Sequence, residues 1–323
     1  MSAAAELASP NVRWDLSALF DSFEDPRIPA LWERIEKETD AFAADYRGKI
    51  DRPDLTAAEL ADSLRRFEAL LLDYSKPLSY GNLRFSVEAT NPEAGAFLMS
   101  QMEKGTAIRV KLVFYDLEIQ ALAEDHFQRL LNDEALANYR HYLRRVREAT
   151  PFMLSEAEER ILEEVANPGT RAWVRLHDET LTHHKFQFLN RETGETEELT
   201  ESETLAHLRS PNREVRINAG KALSEGLQSL SHLLTFLYNT LLQDKAVDDR
   251  LRNRPTPEHS RHMANELDGE TVDLVMQLCK EYEPQVARYY RLKRDILGLP
   301  ELTHVDRYAP IFETSSVVTW DEA

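Results

Sequence analysis

Apolar residues along most of this chain recur at steps of three and four, the period of a helix with one buried face. The longest run is Leu223, Leu227, Leu230, Leu234, Leu237 and Leu241, which predicts one helix with a core-facing stripe. A second long helix is predicted from Asp268, with Val272, Val275, Leu278 and Tyr282 on one side, until Pro284 removes an amide hydrogen and kinks or splits it. Val286, Tyr289 and Ile296 continue that buried face, and Gly298 and Pro300 end it. Strict alternation is confined to His184–Leu189, which runs through Arg191-Glu192-Thr193-Gly194-Glu195 into an extended stretch ending at Leu199. That pattern predicts a small hairpin with an exposed, acidic turn.

Helix starts are written in the capping chemistry. Thr56 with Glu59, Ser155 with Glu158 and Thr200 with Glu203 have the Ser/Thr-x-x-Glu form, in which hydroxyl and carboxylate each satisfy an amide left open by the first turn. Asn91-Pro92 and Ser210-Pro211 predict starts with proline at the first helical position, where a missing amide hydrogen costs nothing. Thr319 and Glu322 form a fourth box, but only Ala323 follows it, so residues 1–323 are expected to be part of something longer. The fold class expected is all-α: a multi-helix lobe with one small β hairpin.

Length and charge narrow the classes of function. A chain of 323 residues with 42% hydrophobic content holds roughly two domains and a sizeable core. One cysteine, Cys279, excludes an internal disulfide framework, fits a reducing compartment and is expected to be a buried, inert thiol. The Met1-Ser2-Ala3-Ala4-Ala5-Glu6 start lacks a basic flank and a long apolar run, and no later window approaches a membrane span, so a cytoplasmic protein without a membrane partner is expected. Fifty-seven acidic against 39 basic residues give a net charge of -18, which argues against a nucleic-acid partner because phosphate binding depends on Lys and Arg. Two basic clusters run against that balance: Arg140, Arg144, Arg145 and Arg147 on one predicted helix, and Arg250, Arg252, Arg254 and Arg261 around a proline-bearing loop. Both read as solvated or ion-paired faces, with Arg144 to Glu148 offering a same-helix pair.

Catalytic motifs are missing from the sequence: there is no glycine-rich phosphate loop, nucleophile elbow or Cys-x-x-Cys pair. A zinc peptidase needs two histidines one helical turn apart with an acidic residue beside them, and no His-Glu-x-x-His occurs. His259-Ser260-Arg261-His262 followed by Glu266 has a spacing that would put three ligands along one side of a helix, but Arg261 sits between the histidines. His183 and His184, in a strand, would point to opposite faces and share no metal. No catalytic residue and no metal ligand is therefore assigned, and residue type alone names no substrate-binding residue. Asn212–Leu223 resembles the second helix of a HEAT repeat, but a solenoid needs several copies and only this one is found.

Read together and in order, several segments resemble oligoendopeptidase F, of the thimet-oligopeptidase-like zinc metallopeptidases. They are Arg13–Phe20, Leu199–Glu203, Leu208–Arg216, Asn239–Lys245, Ala264–Val272, Arg288–Lys293 and Asp306-Arg307-Tyr308-Ala309-Pro310. The resemblance covers essentially the whole chain, most densely from Leu199 onward, and absorbs the HEAT-like segment. It implies a helical region over 1–115, an oligopeptidase F N-terminal-type domain over 116–200 with the hairpin near 184–199, and a helical region over 201–323 leading to a catalytic domain not present here.

In that family the zinc-binding His-Glu-x-x-His helix and its acidic third ligand lie beyond the segment resembling Asp306–Pro310. The resemblance therefore implies zinc and short peptide substrates for the parent, no cofactor for this chain, and no catalytic role that transfers to any position in it. This half would supply cleft wall and size selection, and alone it is expected to hydrolyse nothing and to self-associate through uncovered apolar surface. The alternative is a naturally short, non-catalytic helical protein that binds peptides or a partner. A polar, well-capped surface would favour that alternative, and an exposed apolar patch the fragment.

Overall fold

The computed structural model describes residues 14–191 and 193–312, so the box at Thr319 and Glu322 and residue Glu192 of the turn lie outside the described residues. Helices carry the fold. In chain order they are α1 (Arg27–Tyr46), α2 (Ala57–Val87), α3 (Pro92–Ala121), α4 (Glu124–Asn132), α5 (Arg140–Ala149), α6 (Glu156–Ala166) and α7 (Thr170–His183). Strands β1 (Phe186–Leu189) and β2 (Thr196–Leu199) follow, then α8 (Glu201–His207), α9 (Arg213–Ser229), α10 (Ser231–Leu251), α11 (His259–Ala264) and α12 (Gly269–Ile296).

The capping boxes at Thr56, Ser155 and Thr200 form and open α2, α6 and α8. Asn91 caps α3 with Pro92 at the first position, as its sequence requires. Ser210-Pro211 behaves differently: Asn212 is the cap, its side chain accepting from the Glu214 amide, so Pro211 precedes the helix. The leucine run is split, because α9 ends at Ser229 and Leu230 turns the chain (φ -93°, ψ -1°) before α10 begins. Only Leu237 of that run is fully buried; the others are half-buried. Pro284 does not break α12, which runs on from its Asp268 cap to Ile296, with Gly298 in the left-handed region (φ 64°) just beyond. Apart from the half-buried Val272, its expected buried face is instead exposed, as is Cys279.

By packing, the chain divides into two compact units, and α7 and α10 contribute residues to both. The larger unit comprises Asp15–Leu176 and Thr240–Pro257. Its core is built from α1, α2 and α3, where Ile28, Leu31, Ile35 and Phe42 of α1 recur at helical spacing and turn inward. Two polar bonds fix this core. Trp32 Nε1 donates to Gln101 Oε1 at 2.7 Å, and the Ser63 and Tyr115 hydroxyls meet at 2.7 Å, so neither buried ring carries an unmet polar group.

The smaller unit comprises His177–Asn239 and Glu258 onward. Its hairpin pairs Phe186 with Leu199 and Phe188 with Glu197, antiparallel, and turns through Gly194 at φ 75°. Phe188 packs on Ala219 and Ala222 of α9, and the His207 ring stacks on it at 4.5 Å. Gly226 is required by a close approach: a Cβ there would collide with the fully buried Phe186 ring.

Candidate functional site

Two constellations of charged side chains stand out, one in each unit. In the larger unit a cavity of about 390 Å³ opens between α2, α3, α5 and α6, with Tyr74, Arg109, Asp116, Tyr142, Glu159 and Glu163 supplying its polar groups. Each carboxylate there already has a partner. The Tyr142 hydroxyl donates to Asp116 Oδ1 at 2.6 Å. Arg171 donates to Glu163 at 2.8 Å, and Arg109 stands 3.6 Å from the same oxygen. Arg252 grips Glu159 through two bonds of 2.5 and 3.0 Å.

Burial pushes the Asp116 carboxyl above its ordinary 3.8, against the opposing pull of the Tyr142 hydroxyl. Burial likewise pushes Tyr142 and Tyr74 up. Glu159 moves the other way: burial raises it, but Arg252 and the Leu154 amide together outweigh that and hold it low. Among the residues lining the cavity there is no serine, cysteine or lysine, and the carboxylates that could act on a bound group are already engaged by Tyr142, Arg171 and Arg252.

Tyr142→Phe tests the Asp116 pair. Without its donor the half-buried carboxylate loses its one side-chain partner, so Asp116 rises further and the variant loses about 1–3 kcal/mol at neutral pH. The sign follows from linkage: the folded state holds this proton more tightly than the unfolded chain, so stability falls as pH rises from 3.8 towards the folded value. The deficit of Tyr142→Phe should therefore shrink in acid, which urea titrations at two pH values would show.

In the smaller unit Asp306, fully buried, anchors the 3₁₀ turn His304–Asp306 to the start of α9. Arg213 reaches its two oxygens through Nε at 3.0 Å and Nη2 at 2.9 Å. Arg216, itself 2% exposed, donates to Oδ1 at 2.9 Å and spends Nη1 on the carbonyls of Ser210 and Pro211. The Thr303 amide and hydroxyl complete the shell, each at 3.0 Å. Beside it the buried Lys293 of α12 donates to the Arg307 carbonyl at 2.8 Å. The triad joins two of the segments that carry the family resemblance, Leu208–Arg216 and Asp306–Pro310.

The residues singled out by sequence are scattered. The α11 helix stops at Ala264 and Glu266 takes φ 56°, so His259, His262 and Glu266 do not share one helical side. His183 ends α7 and bonds the Glu179 carbonyl, while the His184 ring stands edge-on to Phe186; neither lies in a strand. Among the described residues no group of three or more His, Cys, Asp and Glu is placed to hold a metal ion.

The arginine clusters are largely structural. Arg147 bonds Glu124 and the carbonyls of Gln120 and Leu122, Arg145 rather than Arg144 takes Glu148, and Arg254 lies over the Phe152 ring. No helix of the described residues is long and apolar enough to cross a membrane.

A family model described as Oligopeptidase F matches residues 118–186. Group B oligopeptidase PepB of Streptococcus agalactiae is 24% identical over 322 residues, covering 96% of this chain and 51% of that protein. Oligopeptidase PepF of Bacillus subtilis is 25% identical over 326 residues, covering 96% and 46%. The chain thus spans about half the length of these curated relatives. Among solved structures, oligoendopeptidase-F from Enterococcus faecium superposes with a TM-score of 0.77 at 17% identity, over 89% of this chain and 56% of that one. At that identity the likeness speaks for the fold. In sequence and in fold, this chain resembles the N-terminal part of the oligopeptidase F group.

Proposed function

We propose that this chain serves as the N-terminal part of a cytoplasmic, zinc-dependent metalloendopeptidase that hydrolyses short oligopeptides. One observation carries the reading: the match to the PepB and PepF oligopeptidases runs over 96% of this chain yet only about half of each relative. Under it, the helical body described above supplies cleft wall and excludes folded substrates, and the chemistry belongs to residues outside this chain. The described residues offer zinc no three-ligand set, so no metal-bound step runs through them. What they do is structural: the Asp306 triad and the Arg252–Glu159 fork hold the walls in place.

The test is to read the coding frame past Ala323 in its native source and express the product. The expected frame continues into a His-Glu-x-x-His helix, and the product cleaves a short quenched-fluorescence peptide, spares folded proteins and loses activity to a chelator. The present chain, loaded with zinc, is expected to cleave nothing. A stop codon after Ala323, or zinc-dependent cleavage by the present chain alone, would overturn the reading and its division of labour respectively.

A further inference from the structure

The cavity between α2, α3, α5 and α6 has two unlike ends. Along α3 it is lined by Arg109, Leu112, Val113 and Asp116, which share one face of the helix. The backbones of Arg109 and Asp116 therefore stand about 10 Å apart along the helix axis. Between the ends the wall is apolar, with Phe67 and Leu71 of α2 and Met153 joining Leu112 and Val113.

The carboxylates of this cavity are not equally met. Glu163 has Arg171 and Arg109 beside it, and Glu159 has Arg252. Asp116 has no cation. Among the described residues its one side-chain partner is the Tyr142 hydroxyl on Oδ1, and no donor meets Oδ2. A half-buried carboxylate without a counter-charge is costly to keep ionised, and a cation brought to it removes that cost. A hard metal ion would need several oxygen ligands, and the described residues bring no such group together. An anion would meet three carboxylates against one lining arginine. An organic ammonium ion suits both parts of the cavity: its N–H groups donate to the carboxylate, and its carbon body takes the apolar wall. The volume of about 390 Å³ falls in the range of about 300–1,000 Å³ typical of small-molecule sites.

We propose that this cavity binds a small primary amine with an apolar body, its ammonium group on Asp116 Oδ2 and its hydrocarbon along Leu112, Val113 and Phe67. Every lining residue belongs to the larger unit, so the walls are formed by this chain itself. The inference does not rest on the peptidase reading, since no group outside the chain takes part in it.

Isothermal titration calorimetry of the full chain with phenethylammonium chloride tests it, with phenylacetate as a probe of similar body and opposite charge. The expected result is saturable, one-to-one binding of the amine and no binding of phenylacetate. Asp116→Asn keeps an acceptor for the Tyr142 hydroxyl while removing the charge. It should weaken amine binding on the order of tenfold to a hundredfold, with helicity and cooperative melting retained. Val113→Phe, which fills the apolar wall and leaves Asp116 in place, should abolish binding by a separate route. No amine binding, equal binding of phenylacetate, or undiminished amine binding by either folded variant would overturn the proposal.

Discussion

Asp306→Ala is expected to remove about 3–5 kcal/mol of stability, because it leaves the buried Arg216 guanidinium without its counter-charge. The cost is set less by the bonds lost than by the charge stranded: Arg216 is 2% exposed and cannot turn to water. Arg216→Met added to Asp306→Ala should therefore recover part of the loss, since an apolar pair strands less charge than a lone guanidinium. Urea titration gives the size of the change, and hydrogen exchange locates it, with protection lost first at the start of α9 and in the His304–Asp306 turn. A loss of less than about 1 kcal/mol would mean that the triad is not the anchor of this turn.

The same residue predicts an acid limb. Burial alone would raise the Asp306 carboxyl, but the donors from Arg213, Thr303 and Arg216 outweigh it and hold it well below the ordinary 3.8. The unfolded chain therefore takes up this proton at higher pH than the folded one. The carboxylate's contribution is complete above 3.8 and is lost as pH falls through the folded value. Asp306→Ala should flatten that part of the stability curve.

What the sequence made legible was local. The boxes at Thr56, Ser155 and Thr200 depend on residues three apart, and all three form. The hairpin was visible because Phe186 and Phe188 alternate with polar neighbours and Gly194 permits the turn. The long α12 was visible too, but its burial was misjudged, since a period of three and four shows that an apolar face exists and not what lies over it. Cys279 was misread for the same reason. The break at Leu230 escaped notice because one residue at φ -93°, ψ -1° leaves the leucine spacing intact on either side. Both charged constellations were beyond local reading: Asp116 and Tyr142 are 26 residues apart, and Arg216 and Asp306 are 90. The family segments hold Arg213 and Arg216 in one stretch and Asp306 in another, but nothing in either pairs them.

Phe42→Ala in the larger unit should cost about 3–5 kcal/mol, and Phe42→Leu well under half of that. Phe42 closes the inward row of α1 at 1% exposure, with the rings of Tyr46, Tyr115 and Phe67 at 4.8, 5.0 and 5.7 Å. Its transfer from water accounts for about 1.5–3 kcal/mol, and the remainder is the void left among rings that cannot all move in. Tyr115 is held by the Ser63 hydroxyl at 2.7 Å and Phe114 is 1% exposed, so collapse has to come from Tyr46 and Phe67, which are partly exposed. If those two close the gap, the loss will sit at the lower end, and near-UV circular dichroism will change with it. A loss near that of Phe42→Leu, with the aromatic signal unchanged, would mean that the ring cluster around Phe42 is not the keystone of this core.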